Sequence, residues 1–301
     1  MSYVGRFAPS PTGRLHPGSL FAATASYLEA RSRGGRWLLR IEDLDTPRIV
    51  AGSAEHIQRT LLALGLEWDG PVVFQSQRTA AYIAAQAELQ AAGRLYACSC
   101  SRRQIEDGGA QGVYPGTCRK GPQQAGSTAL RFRIDDAAVI QLDDRLQGDR
   151  KFQLRDLGDP VVRRRDGLFA YQLAVVVDDA AAGVTDVVRG TDLLASTGWQ
   201  LALQAALGLP TPTYLHLPLL VDGDGRKLSK SLDADPIDGS DPGRWLVQAL
   251  RLLRQSPPPA LELEPKERIW DWAVAQWNPA AMRGLAALAA EVGLPARSVL
   301  S

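Results

Sequence analysis

The stretch from Arg6 to Leu20, RFAPSPTGRLHPGSL, limits the possible folds more than any other. It follows a short strand-like start at Tyr3, Val4 and Gly5. Pro9, Pro11, Gly13, Pro17 and Gly18 then break regular structure. Ser19 is a good helix N-cap, and behind it Leu20, Ala23, Thr24, Tyr27 and Leu28 recur at three- and four-residue spacing. The stretch reads as strand, tight loop, helix N-terminus. In an open parallel sheet that junction binds anions, because free backbone N–H groups and the positive end of the helix point at the ligand. His16 and Gly18 suit a nucleotide there: the imidazole can donate to phosphate oxygens, and the glycine lets a ligand approach closely.

The same alternation continues. Trp37 to Ile41 reads as a buried strand ending at Glu42-Asp43, and Ser53 can cap a helix with Ile57, Leu61 and Leu64 on one face, closed by Gly65. Thr79 to Ala92 is a further helix, stopped by Gly93. This is the unit of an α/β, doubly wound parallel sheet. From Leu95 to about Arg165 the pattern changes to short β-like pieces (Ala129 to Ile134, Val139 to Leu142) with several glycines. The run Leu168 to Val177 is too apolar for an exposed strand and reads as a buried one. Val184 to Arg189 is another strand candidate, Asp192 to Leu207 a helix, and Tyr214 to Val221 leads into a loop. Asp241 and Pro242 open a helix with Trp245, Leu246, Ala249, Leu250 and Leu253 as its apolar face, and Ile269 to Val292 is expected to be helical.

That loop reads Gly225-Arg226-Lys227-Leu228-Ser229-Lys230-Ser231. Two lysines flank a serine in a glycine-containing loop, which suits a mobile clamp for polyphosphate charge. Taken together, PSPTGRLHPGS and KLSKS resemble the two ATP-binding signatures of class I aminoacyl-tRNA synthetases. The opening RFAPSPTG and the later RIED resemble the glutamyl/glutaminyl branch of that class. Ser19 stands where the name-giving first signature carries a second histidine. The resemblance covers roughly Val4 to Ser231. It implies a Rossmann-type nucleotide-binding domain (1–94 and 166–221) split by an inserted zinc-binding subdomain (95–165), followed by the KLSKS loop and a small C-terminal helical region (222–301).

Making an aminoacyl adenylate needs no covalent catalyst from the protein. The substrate carboxylate attacks the α-phosphorus of ATP in line, so positioning and preorganised positive charge supply the rate. His16, the loop around Gly18 and Ser19, and Lys227 and Lys230 fit that demand, with Mg²⁺ on the ATP sharing it. By the resemblance, Lys230 contacts the phosphates. Glutamate brings two carboxylates and an ammonium. A carboxylate suits an Arg fork, and Arg6 and Arg189 both end expected strands on one edge. Glu42 can take the ammonium and Tyr171 can hydrogen-bond the ligand. These four match glutamate-binding positions of the family, within RFAPS (Arg6, Phe7, Ala8, Pro9, Ser10), RIED, FAYQLA and VVRG. An Arg6–Glu42 ion pair is the plainer reading of two of them. Which arginine takes which carboxylate does not follow from the sequence.

Cys98, Cys100 and Cys118 are the only cysteines, and they suggest a structural zinc site short of one ligand. None of the three histidines (His16, His56, His216) is near them in sequence, so the fourth donor should be oxygen: Tyr114, Glu106, Asp107 or water. The resemblance chooses Tyr114, since short relatives carry Cys-x-Cys…Tyr-x₃-Cys as a zinc site. The net charge is +1, so any RNA contact must come from local patches. The basic residues from Arg145 to Arg165 could form one, but aspartates from Asp143 to Asp166 interleave with them, so an ion-paired surface and an RNA face are equally open readings. No signal peptide or membrane span is expected, and the expected location is cytoplasmic.

The chain, 301 residues long, leaves no room for the large helical anticodon-binding domains of ordinary glutamyl enzymes. Together with the zinc pattern, this directs the resemblance to a short branch of the family. Its members activate L-glutamate with ATP without tRNA, then transfer it to the queuosine base in the anticodon of tRNA(Asp). A monomer is expected. A truncated ordinary glutamyl-tRNA synthetase and a non-catalytic tRNA-binding relative are the alternatives.

Overall fold

The computed structural model describes residues 2–108, 113–222, 225, 237 and 239–289. The KLSKS loop, with Lys227 and Lys230, lies outside the described residues.

Three parallel strands start the sheet. β1 (Val4–Phe7) pairs with β2 (Arg36–Ile41), Val4 opposite Arg36 and Phe7 opposite Leu39, and β2 pairs with β3 (Val73–Phe74). The crossover from β1 to β2 is α1 (Pro17–Arg31), and α2 (Ser53–Ala63) joins β2 to β3. The second group is β9 (Asp186–Gly190) parallel to β10 (Thr213–Leu217), which also pairs with β6 (Val139–Asp144). The antiparallel edge is β7 (Gly148–Gln153). β1 and β9 lie side by side: Thr185 N donates to Val4 O at 2.9 Å, and Arg6 Nη1 to Val188 O at 3.3 Å. The order β3-β2-β1-β9-β10-β6-β7 therefore switches direction between β1 and β9. Ligand crevices in open α/β sheets open at such a switch point, beyond the carboxyl ends of the strands.

A three-stranded antiparallel sheet stands apart, formed by β4 (Leu95–Cys98), β5 (Ala129–Phe132) and β8 (Val161–Arg163). The segment 95–165 thus divides between two sheets, because the hairpin of β6 and β7 joins β10. Arg145, beside that hairpin's turn, explains part of this attachment. Its Nη1 lies 2.5 Å from the buried Glu29 of α1, which also accepts from Trp277 Nε1 at 2.8 Å.

The largest core lies under α1. Trp37 is fully buried, donates from Nε1 to Ser26 Oγ at 2.9 Å, and meets Tyr27 edge-on. The C-terminal helices α8 (Pro242–Leu252) and α9 (Lys266–Gln276) cover the other side, with Leu246, Ala249, Leu250 and Leu253 buried as their spacing predicts. Asp241 caps α8 by accepting from Arg244 N. Among the described residues no helix is long and apolar enough to cross a membrane.

Several local expectations are corrected. The apolar run expected as a strand over 168–177 is instead the start of helix α6 (Tyr171–Ala181). A fully buried strand and a helix buried on most sides share one apolar pattern. Here the run continues through buried Asp178 and Asp179, which have arginine partners elsewhere. Ser19 does not cap α1: the helix begins at Pro17, whose missing N–H suits the first position, and His16 is the N-cap. Gly52, with φ of 76°, precedes α2 in the position expected for Ser53. The helix expected over 269–292 stops at Gln276. Pro279 disfavours helical geometry at Asn278, which sits at φ −137°, and a last strand β12 (Ala287–Ala289) pairs parallel with β11 (Leu219–Val221).

Candidate active site

A cavity of about 940 Å³ opens at the switch between β1 and β9. Arg6, Phe7, Ala8, Pro9, Ser10, His16, Gly18, Ser19, Glu42, Tyr171 and Arg189, expected from the sequence to share a site, all line it. Leu217 to Leu220, which lead toward the KLSKS loop, form part of its wall.

The mouth of α1 is built by His16. Its Nδ1 accepts from Ser19 N at 3.2 Å, and its Nε2 lies 3.0 Å from Ser19 Oγ. Imidazole and hydroxyl therefore sit together at the helix N-terminus, where backbone N–H groups and the helix dipole favour an anion.

Deeper in, the charges are organised by a residue from α6. Asp179 accepts from Arg6 Nε and Nη2 at 3.2 and 3.3 Å and from Arg40 Nη1 at 2.6 Å. Arg40 also reaches Glu42 at 3.2 Å. The plain Arg6–Glu42 pair is thus replaced by a chain Arg6–Asp179–Arg40–Glu42, because α6 brings an acid under both strands. Burial works against the Asp179 charge, but Arg40 and Arg6 outweigh it and hold the carboxyl down to about 2. Burial pushes Glu42 above the usual carboxylate range, against the pull of Arg40 and Arg6. An arriving ammonium would supply the compensation it lacks.

Arg189 is held differently. Its Nε donates to His216 Nε2 at 3.1 Å, Nη2 to Thr197 Oγ1 at 2.8 Å and Nη1 to Tyr171 Oη at 3.4 Å. Burial keeps the Tyr171 phenol protonated by raising its pKa, and burial lowers that of His216. Arg6 in this wall is matched by Asp179, and Arg48 and Arg164 by Asp45, whereas the hydrogen-bond partners of Arg189 are uncharged. Arg189 is thus a buried group with positive charge to offer an anionic ligand.

A second cluster lies near the end of β4. The sulfurs of Cys98, Cys100 and Cys118 are all within 4.8 Å of one another. Cys100 Sγ stands 3.5 Å from Cys118 Sγ, and Tyr114 Oη 3.5 Å from Cys98 Sγ. Tyr114 is therefore brought to the thiols, its hydroxyl also accepting from Cys118 N at 2.8 Å. Burial opposes ionisation of the Cys118 thiol, but hydrogen bonds involving Ser99, Cys100 and Gln123 outweigh it and bring the thiol down to about 6. Three sulfurs stand close enough to hold a metal ion, with the Tyr114 phenol oxygen beside them.

The family model for class I tRNA synthetases of the E and Q group, catalytic domain, matches residues 3–241. The chain belongs to the class I tRNA synthetases. A Glutamyl-Q tRNA(Asp) synthetase of Ectopseudomonas mendocina is 52% identical over 92% of this chain and 94% of its own length. One of Chromobacterium violaceum is 54% identical over the same shares. Among solved structures, a glutamate tRNA ligase from Elizabethkingia meningosepticum, in complex with its amino acid, superposes with a TM-score of 0.79 at 25% identity. That match covers 95% of this chain and 67% of the ligase. This synthetase is accordingly an enzyme of the ligase type with the α/β fold of its class.

Sequence reasoning overlooked three residues of the buried polar network behind this cavity. Arg40 stood inside the RIED motif without a role. Asp179 was hidden at the end of a run read as a strand; read at helical spacing, an acid there would have asked for a buried partner. His216, considered only as a possible metal ligand, meets Arg189 because β9 and β10 pair in register, His216 opposite Arg189.

Proposed function

We propose that this chain activates L-glutamate with ATP to glutamyl-adenylate without needing tRNA, and then transfers the glutamyl group to the queuosine base in the anticodon of tRNA(Asp). The observation that carries this reading is Arg189, a buried guanidinium with neutral partners, sharing one cavity with the His16 helix mouth. In this reading Arg189 takes the side-chain carboxylate of glutamate, since Arg6 is already matched by Asp179. Glu42 takes the ammonium and Tyr171 orients the amino acid. The α-carboxylate then stays free to attack. His16 with the N-terminal turn of α1 receives the ATP phosphates, and Lys227 and Lys230 close on the α-phosphate and the leaving pyrophosphate. Mg²⁺ carried by ATP would neutralise further phosphate charge.

The names of the curated relatives support the RNA target. Cys98, Cys100, Tyr114 and Cys118 are assigned one structural Zn²⁺. Sulfurs around a tetrahedral zinc stand about 3.8 Å apart, close to the Cys100–Cys118 separation of 3.5 Å. The enzyme works as a monomer in the cytoplasm, with ATP, glutamate and queuosine-bearing tRNA(Asp) as its partners.

The test is glutamate-dependent ATP–pyrophosphate exchange, first without RNA, then with tRNA. Exchange without RNA, followed by transfer of labelled glutamate to tRNA(Asp) only when it carries queuosine, is the expected result. Exchange that requires tRNA(Glu) would replace it with the ordinary synthetase reading. No exchange from folded, zinc-loaded protein would sink the catalytic assignment.

A further inference from the structure

Arg189 is held from behind by a buried relay. His216 and Asp144 have fully buried side chains, with His216 Nδ1 2.6 Å from Asp144 Oδ2. The same carboxylate accepts from the backbone N–H of Leu146 at 3.0 Å, of Gln147 at 2.8 Å and of His216 itself at 3.2 Å. Four donors around one carboxylate favour its ionised form, so it accepts and His216 Nδ1 carries the proton.

The other ring nitrogen is then determined by its neighbours. Arg189 Nε, 3.1 Å away, can only donate, so His216 Nε2 must accept. Thr197 works beside it. Its hydroxyl accepts from Arg189 Nη2 at 2.8 Å and stands 3.2 Å from both Leu193 O and His216 Nε2, to either of which it can donate. The Nε–Nη2 edge of the guanidinium therefore meets a two-point acceptor. The Tyr214 ring stacks on the imidazole with an interplanar angle of 8°, and the Arg189 guanidinium lies 5.2 Å from the centroid of that ring.

We propose that His216, locked by Asp144 as the Nδ1–H tautomer and assisted by Thr197, is a positioning residue that aims the remaining Nη1–Nη2 edge of Arg189, beside Tyr171, at the glutamate side-chain carboxylate. The relay makes the choice between a charged and a neutral side chain of the amino acid depend on a histidine that does not touch it. An acceptor at this point holds the fork in orientation; an apolar group would leave one guanidinium N–H buried without a partner and release it. The proposal rests on the reading of Arg189 as the glutamate-binding guanidinium.

The experiment measures ATP–pyrophosphate exchange on the full chain for His216→Leu, His216→Gln, Thr197→Val, Arg189→Ala and the Leu/Ala double variant, with glutamate and with glutamine as substrates. Arg189→Ala tests the underlying reading: an unchanged KM for glutamate would remove it and the proposal together. With that KM raised, His216→Leu should raise the glutamate KM about tenfold, leave the ATP KM within about twofold, and narrow the preference for glutamate over glutamine. His216→Gln, which can still accept, should recover most of the loss. The double variant should be no worse than Arg189→Ala alone, because His216 acts through Arg189. A glutamate KM unmoved by His216→Leu, or losses that multiply in the double variant, would overturn the proposal while sparing the reading beneath it. If His216→Leu does not fold, Thr197→Val decides: it withdraws one acceptor with the dyad intact, and an unchanged glutamate KM would overturn the proposal as well.

Discussion

Arg40 Nη1 lies 2.6 Å from Asp179 Oδ1, and that same oxygen is 3.2 Å from Arg6 Nε. One carboxylate from α6 thus serves the two arginines that β1 and β2 turn toward the seam. Removing it would leave two buried guanidinium groups facing each other. Asp179→Asn should destabilise the fold by about 3–5 kcal/mol, more than an ordinary surface pair could contribute, as read from the urea midpoint.

Asp179 also sets an acid limit. Its folded-state pKa, about 2, lies below the unfolded value of about 4, so its contribution is fully present above that unfolded value. It is lost as pH falls from about 4 toward 2, and amounts to about 2 kcal/mol. Urea titrations of wild type across that window should show a decline that Asp179→Asn largely lacks.

Glu42 supplies the acceptor for the substrate ammonium in the proposed site. Glu42→Gln should raise the KM for glutamate about thirtyfold, the loss expected when a buried charge pair loses one partner, and leave the ATP KM nearly unchanged. Equal effects on both substrates would mean that the variant disturbs the whole seam through Arg40.

Tyr114 supplies the oxygen donor in the proposed zinc site. Tyr114→Phe keeps the ring, on which the Arg131 guanidinium packs 3.8 Å from the centroid, and deletes only the hydroxyl. Bound zinc measured by elemental analysis after dialysis against a weak chelator should drop well below one per chain. Full retention would assign the fourth position to another donor.

Gly35 tests the packing between β1 and the end of α1. A Cβ there would stand 2.6 Å from both Tyr3 Cβ and Tyr3 O, so backbone must move. Gly35→Ala should cost about 1–3 kcal/mol in thermal or urea unfolding, without changing the substrate KM of the protein that remains folded.

How much of this was legible depended on distance along the chain. Arg6, Glu42 and Arg189 could be read as site residues because each lies at or just past the end of a strand-like run, and parallel strands deliver their carboxyl ends to one edge. The partners of those residues could not be read, because they arrive through sheet order. Asp179 is 173 residues from Arg6, and nothing near either residue names the other. The Leu168–Val177 run failed for a different reason: its apolar side chains satisfy helix and strand alike, and the deciding acids came after it. His16 was legible as an anion-site residue, but its capping role required knowing that Pro17 starts the helix. Tyr114 entered through its spacing to Cys118, and the local chain geometry brings its hydroxyl to Cys118 N.

The seam between β1 and β9 has a consequence for the chain as it is made. Bonds that join Arg6 to Asp179 and to Val188 span 173 and 182 residues. With ribosomal synthesis at about 5–20 residues per second, Arg6 emerges on the order of ten seconds before its acid exists. During that interval Arg6 has no carboxylate partner and Arg40 has only Glu42, and burying an unmatched guanidinium costs more than early collapse returns. The first β-α-β unit is therefore expected to bury Arg6 only once the second half arrives. Closure of the crevice is then expected as a late, long-range step, which the return of native activity would report during refolding.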